Sequence, residues 1–164
     1  MRHYIGMVQP QFKKHFLNAA THRLIVIGQF NISDVLPFAT QDKRYAKKTY
    51  IVDGTPFIVK MDSDRYQTFN KNLECAACSL TGSLFLLERE HGHEPGIAHF
   101  NLYAIEHESL ILMTKDHIVP RSKGGKNNIN NYQTMCEVCN SMKKARELSN
   151  NELRQIRQVY NSLA

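Results

Sequence analysis

The sequence predicts an α+β domain, and three observations carry that prediction. Two Cys-x-x-Cys turns, Cys75/Cys78 and Cys136/Cys139, stand far apart in the chain. Three β-rich runs fill the interval between them, and two helical stretches follow the second turn. At 164 residues the chain can bury a hydrophobic interior as one unit with a small mixed α/β N-terminal elaboration.

Taken in order, residues 1–22 mix charges, histidines and apolar side chains without clean periodicity, and read as one helix around Phe12, Phe16 and Leu17. LIVIGQF, 24–30, reads as a short buried strand. TQDKRYAKKTY, 40–50, gathers Lys43, Arg44, Lys47 and Lys48 around Tyr45, either as a solvated basic face or as a patch that contacts phosphates. In YIVDGTPFIVKM, 50–61, an Asp53-Gly54 turn joins two β runs into a hairpin. SDRYQTFNKN, 63–72, is a short helix capped by Ser63 or Asp64.

SLFLLERE (83–90), HFNLYAIE (99–106) and LILMTKDHIV (110–119) are the three central strands. The intervening HGHEPG is a loop, so His91, His93 and Glu94 read as solvated residues rather than ligands. His99 and His107 alternate with Asn101 and Tyr103 on one strand face opposite Phe100 and Leu102, the pattern of a half-exposed strand rather than of a chemical site. After the polar stretch 127–131, NYQTM leads into Cys136, and CNSMKKAREL, 139–148, continues as a helix. Ser149 and Glu152 have capping-box spacing for a last helix, whose Leu153, Ile156, Tyr160 and Leu163 lie on one core-facing stripe. The resulting division is an N-terminal α+β region over 1–72, a core over 73–148, and a C-terminal helix over 149–164.

A formal net charge of +6 favours polyanionic partners through long-range attraction and counterion release. No run approaches the roughly 20 apolar residues of a membrane helix, and the N-terminus lacks the apolar centre of a secretion signal. A soluble intracellular protein, cytoplasmic or nucleoid-associated, is the expectation. In a reducing compartment the four cysteines read as metal ligands. Two C-x-x-C turns complete a tetrahedral zinc site with no open position, hence a structural one. The 57 residues between the turns must fold back to bring them together. The alternatives are four buried thiols or a redox pair at Cys75/Cys78.

Between the turns, an acid and an imidazole stand side by side in Asp116-His117-Ile118-Val119-Pro120, followed by Gly124-Gly125, Asn131, and Cys136-x-x-Cys139-Asn140 with Lys143. Over residues 75 to about 148 this sequence resembles the HNH endonucleases, also called ββα-metal or His-Me finger nucleases. His117 to Asn131 is fourteen positions and Asn131 to Asn140 is nine, the spacing of the HNH module in RNA-guided nucleases. The resemblance implies a ββα-metal core stapled by the structural zinc, and hydrolysis of DNA phosphodiesters by nicking or double-strand cleavage. Phage genomes, mobile elements and restriction systems hold many relatives.

It also implies roles. His117, an imidazole, is the general base that takes a proton from water. Asp116 and Asn140 offer oxygens to a catalytic divalent cation, Mg²⁺ or Mn²⁺. Asn131 holds the loop that orients the imidazole. Arg121, Lys123 and Lys126 would hold phosphates, joined by Lys143 or Lys144, and Lys43, Arg44, Lys47 and Lys48 extend the contact. Double-stranded DNA is the expected partner, and a homodimer is left open. Neighbouring strand residues point to opposite faces, so Asp116 and His117 share one centre either across the strand edge or through a local bulge. The reading from another class is a zinc-stapled nucleic-acid-binding module without cleavage.

Overall fold

The computed structural model describes residues 24–90 and 98–163. The helix expected within 1–22 and the loop holding His91, His93 and Glu94 lie outside them. The described chain is mixed α+β with antiparallel sheets. Strand β1 (Leu24–Asn31) is followed by a single helical turn, α1 (Ile32–Val35), and then by β2 (Lys47–Val52) and β3 (Thr55–Lys60). Helix α2 (Asp64–Lys71) leads to the first cysteine turn and on to β4 (Leu84–Glu90), β5 (His99–Glu106) and β6 (Ser109–His117). Strand β7 (Tyr132–Cys136) runs directly into α3 (Glu137–Lys143), and α4 (Asn150–Leu163) closes the described chain. None of its helices is long and apolar enough to cross a membrane.

Five strands form one sheet in the order β1-β4-β5-β6-β7, every pair antiparallel, while β2 and β3 make a separate hairpin. Asp53 and Gly54 turn that hairpin with φ of 48° and 77°, the two positive values that a twist-matched two-residue turn requires. Alternation along the strands sends Phe85, Leu87, Phe100 and Leu102 into one core. Phe100 is its centre: the rings of Tyr50, Phe30 and Phe85 meet it edge-on at 4.8, 5.1 and 5.9 Å between centroids. Tyr50 brings in the hairpin, and Tyr66 and Phe69 of α2 reach the same cluster through Phe85.

Beyond Met113 strand β6 leaves β5 and pairs with β7 alone. Helix α2 packs against β6 and β7 there. The backbone N–H of Phe100, left without a strand partner on that side, donates to the Tyr66 hydroxyl at 2.9 Å. Arg65 donates to Asn101, and Lys115 lies 3.8 Å from Asp64. Ser63 caps α2 by accepting from the Arg65 N–H.

Three expectations are corrected. The face of β5 expected to be half-exposed is largely buried: Asn101 and Tyr103 both hydrogen-bond the fully buried Glu88, so polar residues there serve an internal network. Helix α3 stops at Lys143, not near 148, because Lys144 takes a positive φ of 53° and Arg146 folds back onto the carbonyls of Lys143 and Met142. In α4 the stripe is buried at Ile156 and Tyr160, whereas Leu163 is exposed at the helix end. The Ser149/Glu152 capping box forms as the spacing predicts.

Truncating the central ring removes contacts with the sheet, with the hairpin, and with Phe85, through which α2 joins the core. Phe100→Ala is expected to cost about 3–5 kcal/mol in denaturant unfolding; a loss under about 1 kcal/mol would show that the three layers do not share this core.

Candidate active site

The two cysteine turns meet. Cys75 and Cys78 sit on the turn after α2, which is fixed beside β7 by the Ala76 N–H donating to the Thr134 carbonyl at 2.9 Å. Cys136 ends β7 and caps α3, and Cys139 lies one turn into that helix. The four sulfurs all lie within 4.8 Å of one another, and Cys78 and Cys136 are 3.8 Å apart. A tetrahedral zinc with Zn–S bonds of about 2.3 Å has sulfur–sulfur edges of about 3.8 Å, so these residues can hold zinc. Three of the thiols are buried and Cys78 is half-buried. Contacts from Cys136, Cys139 and Cys78 hold the Cys75 thiol far below its ordinary range, while Cys136, Cys75 and Cys78 push Cys139 far above. Arg157 of α4 braces the turn by donating to the Ala77 carbonyl at 2.8 Å.

Strand β7, which ends in this cluster, sets the position of the acid and the imidazole. The β6–β7 ladder pairs Asp116 with Gln133 and His117 with Tyr132 without a register shift, so no bulge occurs there. The two side chains therefore take opposite faces. Asp116 turns toward α3: its Oδ2 accepts from Gln133 Nε2 at 2.8 Å and its Oδ1 from Lys143 Nζ at 3.1 Å. His117 turns the other way, its ring edge-on to Tyr132 with centroids 4.8 Å apart and its Nε2 2.9 Å from Asn127 Oδ1. Both residues nevertheless line one hollow at the strand end, with Arg121, Ser122, Lys143 and Lys144 around it.

The loop from β6 to β7 is closed on itself by Asn131. Its side-chain amide donates to the carbonyls of Val119 and Lys126, both at 3.0 Å, and its Oδ1 accepts from the Val119 N–H at 2.9 Å. Its own carbonyl accepts from Ile118 at 2.9 Å. Within the loop Gly124 adopts φ 83°. The glycine requirement is stricter at Gly125, where a Cβ would stand 1.7 Å from the Val119 carbonyl oxygen. Lys71 of α2 ties the far side of the loop by donating to the Ile129 carbonyl at 3.0 Å.

On α3, Asn140 donates to the Thr114 hydroxyl at 3.0 Å, and Thr114 donates to the Met135 carbonyl at 2.8 Å. Asn140 thus stands on the face of β6 that carries Asp116, but its hydrogen bond goes to Thr114, two residues earlier. Lys143 is buried, and its ammonium also donates to the His117 carbonyl at 2.7 Å. A carboxylate whose oxygens each keep a spare lone pair, with an amide carbonyl on the same face, is a donor set of the kind a hard, mostly hydrated cation takes.

Of the basic residues expected near the site, Arg121 and Lys144 are exposed and line the hollow, Lys123 and Lys126 are exposed on the loop that follows, and Lys143 is buried. The others lie on or next to the β2–β3 hairpin. Lys43 and Lys47 are exposed there, and Arg44 is spent on a bidentate pair with Asp42. Lys48 folds inward over the Phe38 ring, where burial lowers its pKa.

Sequence reasoning missed Asn127, Gln133 and Thr114. Gln133 was reachable, since counting back from a β6–β7 hairpin register places it opposite Asp116. Nothing in the polar run 127–131 singles out Asn127.

Residues 106–152 match the family model of HNH endonuclease. No curated protein and no solved structure matches the chain.

Adding one methyl group at the crowded loop position should show how tightly the loop is built. Gly125→Ala is expected to cost about 1–3 kcal/mol as overpacking against backbone and to lose the amide exchange protection of Val119 and Gly125. Unchanged stability with unchanged protection would contradict the close approach.

Proposed function

We propose that this chain is a metal-dependent DNA endonuclease whose ββα-metal core is formed by β6, β7 and α3, stapled by a structural zinc on Cys75, Cys78, Cys136 and Cys139. One observation carries the reading: the residues that match the family are those that bring Asp116 and His117 to a single hollow ringed by cationic side chains.

Each residue then has a task. Exposed Arg121, Lys123, Lys126 and Lys144 draw in the phosphate backbone of a DNA duplex and fix its position without reading sequence. His117 takes the proton of an attacking water. Asn127 supports the ring from Nε2, which leaves Nδ1 as the nitrogen with a free lone pair. Water oxygen bonds to phosphorus, the bond to the 3′ oxygen breaks, and the products carry a 5′-phosphate and a 3′-hydroxyl. Asn131 keeps the Val119 and Lys126 carbonyls in place so that the loop cannot carry Asn127 away from the imidazole. Asp116 and Asn140 are the oxygen donors for Mg²⁺ or Mn²⁺, which when bound would neutralise charge on the phosphate and on the departing oxygen. Lys43 and Lys47 extend the contact along the hairpin.

A second reading, a zinc-stapled binding module without cleavage, is favoured by one observation: both oxygens of Asp116 already have protein partners. Supercoiled plasmid incubated with Mg²⁺ or Mn²⁺ separates the two. His117→Ala is expected to lose about 10²-fold or more in nicking rate while still binding DNA; equal rates in the two proteins would remove His117 from the reaction.

The zinc assignment has its own test. Elemental analysis of freshly purified protein should find one zinc per chain, and Cys139→Ser should lose both the metal and cooperative unfolding, because binding energy at such a site is folding energy. Full zinc content in the variant would contradict the four-sulfur site.

A further inference from the structure

We propose that Lys143 is a resident cation that competes with the divalent ion for Asp116, so that metal binds weakly until a phosphate draws the ammonium away. This rests on the assignment of Asp116 as a ligand in the proposed nuclease.

Lys143 is 1% exposed, and it is the first lysine of a pair at the end of α3 whose neighbour, Lys144, is exposed. A buried ammonium is costly unless an anion faces it. The anion here is Asp116, at 3.1 Å, and the ammonium also donates to the His117 carbonyl. The helix ends at this residue, with its next backbone unit in a positive-φ conformation, so Lys143 is the last side chain that α3 delivers to the β6–β7 layer.

A second cation on the same carboxylate would stand within a few ångströms of that ammonium, in a setting where like charges repel strongly. One of two things follows: the divalent ion is held weakly, or Lys143 leaves. Its exit is at hand, because Lys143 lines the same hollow as Arg121 and Lys144, where a backbone phosphate would lodge. A flexible four-carbon stem can follow a phosphate oxygen as readily as it now follows Asp116. The two binding events are then linked, and each tightens the other by the same factor.

Mn²⁺ binding to the full, zinc-loaded chain, read by the electron paramagnetic resonance of free Mn²⁺, tests this without any turnover. The proteins are His117→Ala alone, to keep DNA intact, and the same background with Lys143→Met or with Asp116→Asn. Without DNA, Lys143→Met is expected to bind Mn²⁺ about tenfold or more tighter than its parent. A short duplex, corrected for the Mn²⁺ it binds by itself, should tighten binding to the parent by a similar factor and barely change Lys143→Met. Equal or weaker binding by Lys143→Met would overturn the proposal, as would an equal effect of duplex on both. Lys143→Gln is the second neutral variant; if circular dichroism and zinc content show that neither folds, Lys143 is a structural ion and the proposal fails. Loss of Mn²⁺ binding in Asp116→Asn with no effect of Lys143→Met sinks this inference alone. Binding that ignores Asp116→Asn removes the metal assignment behind the proposed function.

Discussion

Four sulfur atoms within 4.8 Å of one another mark where the start of α3 meets the turn between α2 and β4, and the candidate site hangs from the elements that meet there. β7 enters the cluster at Cys136 and, through its ladder with β6, sets where Asp116 and His117 stand. α3 leaves the cluster carrying Asn140 and Lys143 onto the Asp116 face. A two-strand, one-helix unit of this size has little core of its own, so the proposed zinc, cross-linking the chain where strand becomes helix, would do what a larger interior does elsewhere. The rest of the fold adds braces from outside: Arg157 on the cysteine turn, Lys71 on the long loop, and the Phe100 cluster beneath α2.

Alternation along β6 explains how one dipeptide serves two purposes. Asp116 faces the helix, where a buried ammonium and an amide surround it; His117 faces outward, where a loop amide and a tyrosine ring hold it. Placed at the strand end, both still reach the same hollow. In a nuclease of the proposed kind, an oxygen ligand and a proton acceptor on opposite sides of a strand edge would address a phosphate from two directions. Adjacency in sequence would then supply geometry that two distant residues would need a deeper cleft to achieve.

Much of this was legible in the residues. The Asp53-Gly54 turn, the Ser63 cap and the Ser149/Glu152 box are local signals that local chemistry decided, and the meeting of the two cysteine turns was legible across 57 residues because four thiols in two C-x-x-C pairs match one tetrahedral site. What could not be read depends on contacts between distant elements. CNSMKKAREL has helix-forming residues throughout, yet the chain breaks at Lys144 where the Lys143 ammonium engages Asp116 and His117. Asn101 and Tyr103 look like a wet strand face until Glu88 of the neighbouring strand supplies a buried partner. Lys48 belongs by composition to a basic patch, but its place on the inward face of β2 sends it to Phe38. In each case a tertiary partner overrode a pattern that, read alone, pointed elsewhere.

The proposed reaction is hydrolysis at this site with the 3′ oxygen as leaving group. The direct measurement is the chemistry of the ends produced from an end-labelled DNA duplex in Mg²⁺ or Mn²⁺. The expected result is discrete cuts that leave 5′-phosphate and 3′-hydroxyl termini, religatable by a DNA ligase. Termini bearing a 3′-phosphate, or a duplex that stays whole in either metal while it is bound, would contradict it.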